Sequence, residues 1–177
     1  MPQLPEKLTF PHNGLFYDMV TAFTAAIAGL ESIFDVNNRM NFQPNEGVVL
    51  EGRVHPEIRL ESFSIHRLMI TGVITTQYLT QSLCNMLINT AYESVKDRND
   101  HSPLFEFFRH IRNASSHKNQ FFFRPNEPQR PAEWRGLVID HNAKGASNPL
   151  SGTQCFGGFI GIADAIQLIW DVEQYLT

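Results

Sequence analysis

The chain has 177 residues, with 14 basic and 18 acidic side chains for a formal charge of −4, and 42% of it is hydrophobic. That composition suits one domain with a real core, and a charged fraction of only 18% beside 14 phenylalanines excludes a disordered chain. Two cysteines, Cys84 and Cys155, exclude a disulfide framework and lack the clustering of a zinc site, and no apolar run reaches the ~18–20 residues of a membrane span. Residues 1–7 lack the basic-then-apolar layout of a signal peptide, so the expected address is the cytoplasm.

Leu15, Phe16, Met19, Val20, Phe23, Ile27, Leu30, Ile33 and Phe34 recur at three- and four-residue steps and predict a helix over 14–36, ended by Asn37-Asn38. Residues 39–61 break that period with Pro44, Gly47, Gly52 and Pro56, and Val48-Val49-Leu50 is the one short strand expected there. Ser62 or Ser64 then caps a long second helix that runs through Ile65, Leu68, Met69, Val73, Leu79, Leu83, Leu87, Ala91 and Val95. At 1.5 Å per residue it would span about 50 Å, with Gly72 or Ile74-Thr75-Thr76 as the place to bend. A third helix starts at Ser102-Pro103 and carries Leu104, Phe107, Phe108, Ile111 and Ala114. The segment 119–158 is irregular, with Phe121-Phe122-Phe123 and Leu137-Val138-Ile139 expected to pair as strands. A last helix follows from Phe159, Ile162, Ala163, Ile166, Ile169 and Trp170. The expected architecture is a single mainly α domain over 1–177: a four-helix up-and-down bundle with two irregular inserts and a short β-hairpin.

Charge is unevenly spread. From Arg109 to Lys144 there are seven basic and three acidic residues, a net of +4, so the remainder, with seven basic and fifteen acidic, nets −8. Such a segment attracts phosphate locally while the acidic bulk limits indiscriminate polyanion binding.

Within it lies Phe105-Glu106-Phe107-Phe108-Arg109-His110-Ile111-Arg112-Asn113-Ala114-Ser115-Ser116-His117. At 100° per residue, Leu104, Phe108, Ile111 and Ser115 share one side of a helix. Glu106, Arg109, His110, Asn113, Ser116 and His117 share the other, with Arg112 at its margin. Arg109, Asn113 and His117 follow one another at four-residue steps, so their side chains are neighbours. The Asn-Ala-Ser-Ser run is poor helix former for an exposed face, and imidazole exchanges protons near neutral pH.

Arg112-Asn113-Ala114-Ser115-Ser116-His117, on a helix after an aromatic run, resembles the signature of the HEPN superfamily: Arg, four to six residues, His, often with a polar residue after the Arg. The helix order fits across most of the chain, and 119–158 resembles the extra segment of a plasmid-borne branch. The spacing alone occurs twice more, at Arg59 to His66 and Arg135 to His141, but the first precedes a helix cap and the second reads as strand. The resemblance implies a metal-independent endoribonuclease of a toxin, defence or RNA-processing system, with its site assembled across a homodimer. Some relatives carry a tyrosine two residues after the His as a nucleotidylation target; Asn119 stands there, so the resemblance does not carry that control over.

The chemistry matches these residue types. Metal-free RNA cleavage needs a base for the 2′-hydroxyl, an acid for the 5′-oxygen and positive charge on the phosphorane, and it leaves a 2′,3′-cyclic phosphate. His117 suits acid or base, Arg112 grips non-bridging oxygens, and Asn113 fixes the imidazole or the phosphate. Arg109, Ser116 and Lys118 are assigned to substrate contact, His110 to a structural or solvent-exposed place. Residues five apart on a helix diverge by about 140°, so a second copy is expected to complete the site. The expected partners are RNA, that second copy and, for a toxin, a neutralising protein; no cofactor or metal is expected. Core packing is the expected role of Phe121-Phe122-Phe123 and Trp134, in preference to base stacking. The alternative function is a non-catalytic HEPN-like module that binds RNA or protein.

Overall fold

Helical spacing becomes five α-helices among the described residues of a computed structural model, which are 7–35, 47–54, 57–140, 142–143 and 145–177, without the side chains of Ser62 and Phe63. They are α1 (Tyr17–Phe34), α2 (Ser62–Ile70), α3 (Thr76–Val95), α4 (Pro103–Ser116) and α5 (Ile162–Leu176). Two antiparallel hairpins complete a mainly α fold: β1 (Gly47–Leu50) with β2 (Ile58–Glu61), and β3 (Ala132–Trp134) with β4 (Leu137–Ile139). None of these helices is long and apolar enough to cross a membrane.

The fifth helix arises because the expected second helix is broken. Gly72 takes φ +74° just past Thr71, and the Gly72 and Ile74 N–H groups bond to Met69 and Leu68 carbonyls at 3.0 and 3.1 Å. Glycine in the left-handed region is the common way to stop a helix. Thr75 Oγ1 then accepts the Tyr78 N–H at 3.1 Å and starts α3 afresh. Neither expected serine is the N-cap of α2: that position is Glu61, without a side-chain cap bond, and Ser64, inside the helix, donates to Glu61 Oε2 at 2.8 Å. The expected helix end at Val36-Asn37-Asn38 and the N-terminal residues 1–6 lie outside the described residues.

Strand pairing also differs from expectation. Val48-Val49-Leu50 is a strand, in register from Gly47↔Glu61 to Leu50↔Ile58. Leu137–Ile139 pairs with Ala132–Trp134, not with Phe121-Phe122-Phe123. Arg135 and Gly136, at φ +47° and +82°, make the two-residue turn whose twist suits a hairpin, and so short a loop closes at less entropic cost than one joining 123 to 137. Phe121 instead exchanges backbone hydrogen bonds with the 152–153 turn, at 2.8 and 2.9 Å.

The chain forms two compact units. One holds Thr24–Thr80, with β1, β2 and α2; Met69 and His66 are buried there, while Val48, Val49, Leu50, Ile58 and Leu60 stay exposed. The other holds the described residues within Met1–Phe23 together with Gln81–Thr177. Its core collects Cys84, Ile88, Ala91 and Val95 from α3, Phe105, Phe107, Phe108 and Ile111 from α4, and Ala165, Leu168, Ile169 and Val172 from α5. The β3–β4 hairpin is tied to α5 through Asp171, which accepts Trp134 Nε1 at 2.7 Å and both Arg135 Nε and Nη2 at 2.6 and 3.0 Å. Trp134 is buried with its ring 5.6 Å from Phe107, a packing residue rather than a platform for bases. Phe121 and Phe123 also enter the core, and Phe122 does not.

Candidate active site

Ser102 caps α4 by accepting the Phe105 N–H at 3.4 Å, and Pro103 supplies the preset φ of a first turn. The helix then buries more than its apolar side. Glu106 is fully buried and His110 nearly so, because the segment 123–130 lies over the first half of the polar face, with Phe123 on His110 and Arg130 on Glu106. Arg109 donates Nε to Glu106 Oε2 at 2.8 Å, Nη1 to Glu127 Oε1 at 2.5 Å and Nη2 to His110 Nε2 at 3.1 Å. Glu106 Oε1 takes Arg130 Nη1 at 3.3 Å and meets His101 Nδ1 at 3.1 Å. Burial pushes the Glu106 carboxyl up, but Arg109, His101 and Arg130 outweigh it and hold it below the carboxylate range. Burial first, and the Arg109 charge second, hold His110 down to about 4, so its ring is neutral at pH 7.

Beyond this network the polar face opens into a cleft of about 460 Å³ lined by Tyr92, Glu93, Arg109, Arg112, Asn113, Arg124, Asn126, Glu127 and Pro128. Arg112 is one of three arginines that line it. Its guanidinium lies 5.7 Å over the Tyr92 ring, Nη2 donates to Glu93 Oε1, and Nη1 reaches Asn113 Oδ1 at 3.4 Å. Its Nε is buried without a hydrogen-bond partner among the described residues, a donor held on a fork that is only part-buried. Glu93 also accepts Lys96 Nζ at 2.9 Å, and the hydrogen bonds of Lys96 and Arg112 hold its carboxyl below the usual range.

The C-terminal end of α4 is shaped by backbone. His117 is the first residue past the helix, at φ −104° and ψ 45°, with its N–H bonded to the Asn113 and Ala114 carbonyls. Lys118 and Asn119 follow at φ +58° and +65°. Asn119 secures this uncommon pair of left-handed residues: its amide donates to the Phe156 carbonyl at 3.0 Å and accepts the Phe156 N–H at 2.7 Å. The His117 ring is exposed and rests on Phe122, centroids 4.6 Å apart. Phe121 and Phe123 turn inward, and the alternation leaves Phe122 outside to serve as that shelf.

Of the residues expected to act together, the structure gathers Arg109, Arg112 and Asn113 on one cleft. Ser116, His117 and Lys118 do not line it. Ser116 bonds through its hydroxyl to Asn89 Oδ1 at 2.6 Å, and Lys118 projects from the αL turn. Arg109, assigned to substrate, has its donors committed to two carboxylates and an imidazole, and works structurally in this state. Glu93, Tyr92 and Lys96 escaped the sequence reading: they sit on α3 and the 3₁₀ turn after it (Lys96–Arg98), and only the packing of α3 on α4 brings them to Arg112. His141, in the third occurrence of the motif spacing, lies outside the described residues; Arg135 is bound to Asp171. Cys84 and Cys155 are buried free thiols pushed upward by burial, Cys84 to about 12, which leaves them unreactive.

Set against family models, curated proteins and solved structures, the chain has no match.

Proposed function

We propose that the chain is a HEPN-type, metal-independent endoribonuclease that works as a homodimer. The observation that carries this reading is the arrangement at the end of α4. Arg112 and Asn113 line an open cleft, the Arg112 fork part-buried, and His117 presents an exposed ring just past the last turn of α4. One copy thus offers a phosphate grip and one proton-transfer group, and transesterification needs two such groups. A second copy related by a two-fold axis beside α4 supplies the other imidazole and a second guanidinium.

In the resulting site one His117 takes the 2′-hydroxyl proton as O2′ bonds to phosphorus. The P–O5′ bond breaks, and the other His117, protonated, gives its proton to O5′. Arg112 from each copy holds the non-bridging oxygens as charge builds on them. The products are a 2′,3′-cyclic phosphate and a 5′-hydroxyl.

The test is RNA incubated in excess chelator with the unmodified chain and with His117→Ala. Cleavage to cyclic-phosphate ends is expected, with a loss of about 10²–10⁴-fold in the variant. Equal cleavage by both, or none by either, removes the reading. The ion pair between Arg112 and Glu93 favours a second one, a module that binds RNA without cutting it. Retention of RNA by a chain that never cleaves it would select that alternative.

A further inference from the structure

Arg112 faces a rival for any phosphate it is to bind. Glu93 sits one helical step from Lys96 on one side and directly on the Arg112 fork on the other, so a single carboxylate is held between two cations. Both oxygens are used: Oε1 accepts from Arg112 and Oε2 from Lys96 at 2.9 Å. A phosphodiester offers the same feature, two oxygens on one anionic centre, to the same two donors. The pair is part-exposed, with Arg112 and Glu93 side chains at 31% and 41% of their free accessibility, so water and a ligand both reach it.

We propose that Glu93 is a carboxylate latch in the seat of an RNA phosphate, and that single-stranded RNA binds by displacing it from Arg112 and Lys96. The inference rests on the reading of the cleft as an RNA site and adds its regulation. In the free chain the latch offsets one of the two positive charges, and the Arg112 guanidinium lies 5.7 Å over the Tyr92 ring. When a phosphate enters, Glu93 swings toward solvent while Arg112 and Lys96 stay. An exposed or part-exposed ion pair of this kind is weak, so a polyanion that releases counterions displaces it. The latch also discriminates: a lone inorganic anion must break two ion pairs for one phosphate, whereas an RNA strand draws on neighbouring contacts as well.

Glu93→Gln keeps the shape and a hydrogen-bonding oxygen but removes the charge. The experiment measures binding of a labelled single-stranded RNA in chelator as a function of salt, with both Glu93→Gln and Glu93 forms carrying His117→Ala to prevent cleavage. The expected result is roughly 3–10-fold tighter binding. The slope of log K against log salt is expected to stay nearly unchanged, because the same phosphate is contacted in both forms. Adding Lys96→Met to Glu93→Gln is expected to reverse part of the gain in affinity and to lower the slope by about 0.7. Unchanged or weaker binding by Glu93→Gln, with the melting temperature preserved, overturns the latch. Because binding is read without cleavage, a chain that proves inactive on RNA would end the nuclease reading and leave this result intact.

Discussion

At the scale of single residues, burial sorts α4's polar groups into structural and available ones. His110 lies within α4 and His117 just past its end, yet the His110 ring is buried 5.3 Å from Phe123 and accepts from Arg109, while the His117 ring is exposed. The consequence is a defined pH effect. His110 titrates near 6.5 in the unfolded chain and at about 4 when folded. Between those values the unfolded chain holds a proton that the folded one does not, so stability falls as pH drops through this window, by at most about 1.4 kcal/mol per pH unit. Glu106 and Glu127, held below 4.5, add losses only at lower pH. His110→Gln, which still accepts from Arg109, is expected to flatten the urea midpoint between pH 6.5 and 4.5. An unchanged slope would mean that another group titrates there.

Elements depend on devices at their ends. α2 and α3 are separate because Gly72 and Thr75 stop and restart the backbone, and α4 stops where Lys118 and Asn119 turn left-handed. Asn119 is the residue that joins the end of α4 to the loop before α5, through its paired bonds with Phe156. Asn119→Ala removes both bonds and keeps the positive φ, so it is expected to cost about 2–4 kcal/mol in denaturant unfolding. Asn119→Gly relieves the φ strain alone and should recover about 1 kcal/mol of that. If alanine proves harmless, the amide does not hold the turn, and His117 is placed by something else.

For the whole molecule, the proposed site makes oligomeric state a functional variable. If, as proposed, two copies contribute one acid and one base, a dimer containing a single His117→Ala subunit lacks one of them. Unmodified and His117→Ala chains unfolded together in equal amounts and refolded are expected to keep roughly one quarter of the activity of the unmodified dimer, the fraction of fully unmodified pairs. Retention of one half would indicate that each copy works independently. Sedimentation at micromolar concentration checks the same point, and a monomer that cleaves RNA would remove the composite site.

The linear order of residues determined the helical character of the chain, the Ser102-Pro103 start of α4 and the apolar back of that helix, because each follows from local spacing and capping. It also singled out Arg112, Asn113 and His117, whose types and intervals are chemical facts needing no fold. Tertiary structure decided what the polar face of α4 meets. Glu106 and His110 look like surface residues on a helical wheel, and a wheel has no knowledge of a segment more than a dozen residues away that will cover them. It also brought Glu93 and Lys96 to Arg112 and paired Leu137–Ile139 with its near neighbour rather than with Phe121–Phe123. Such contacts are set by competition between loop closure, desolvation and charge pairing across the chain, and no periodicity records the outcome.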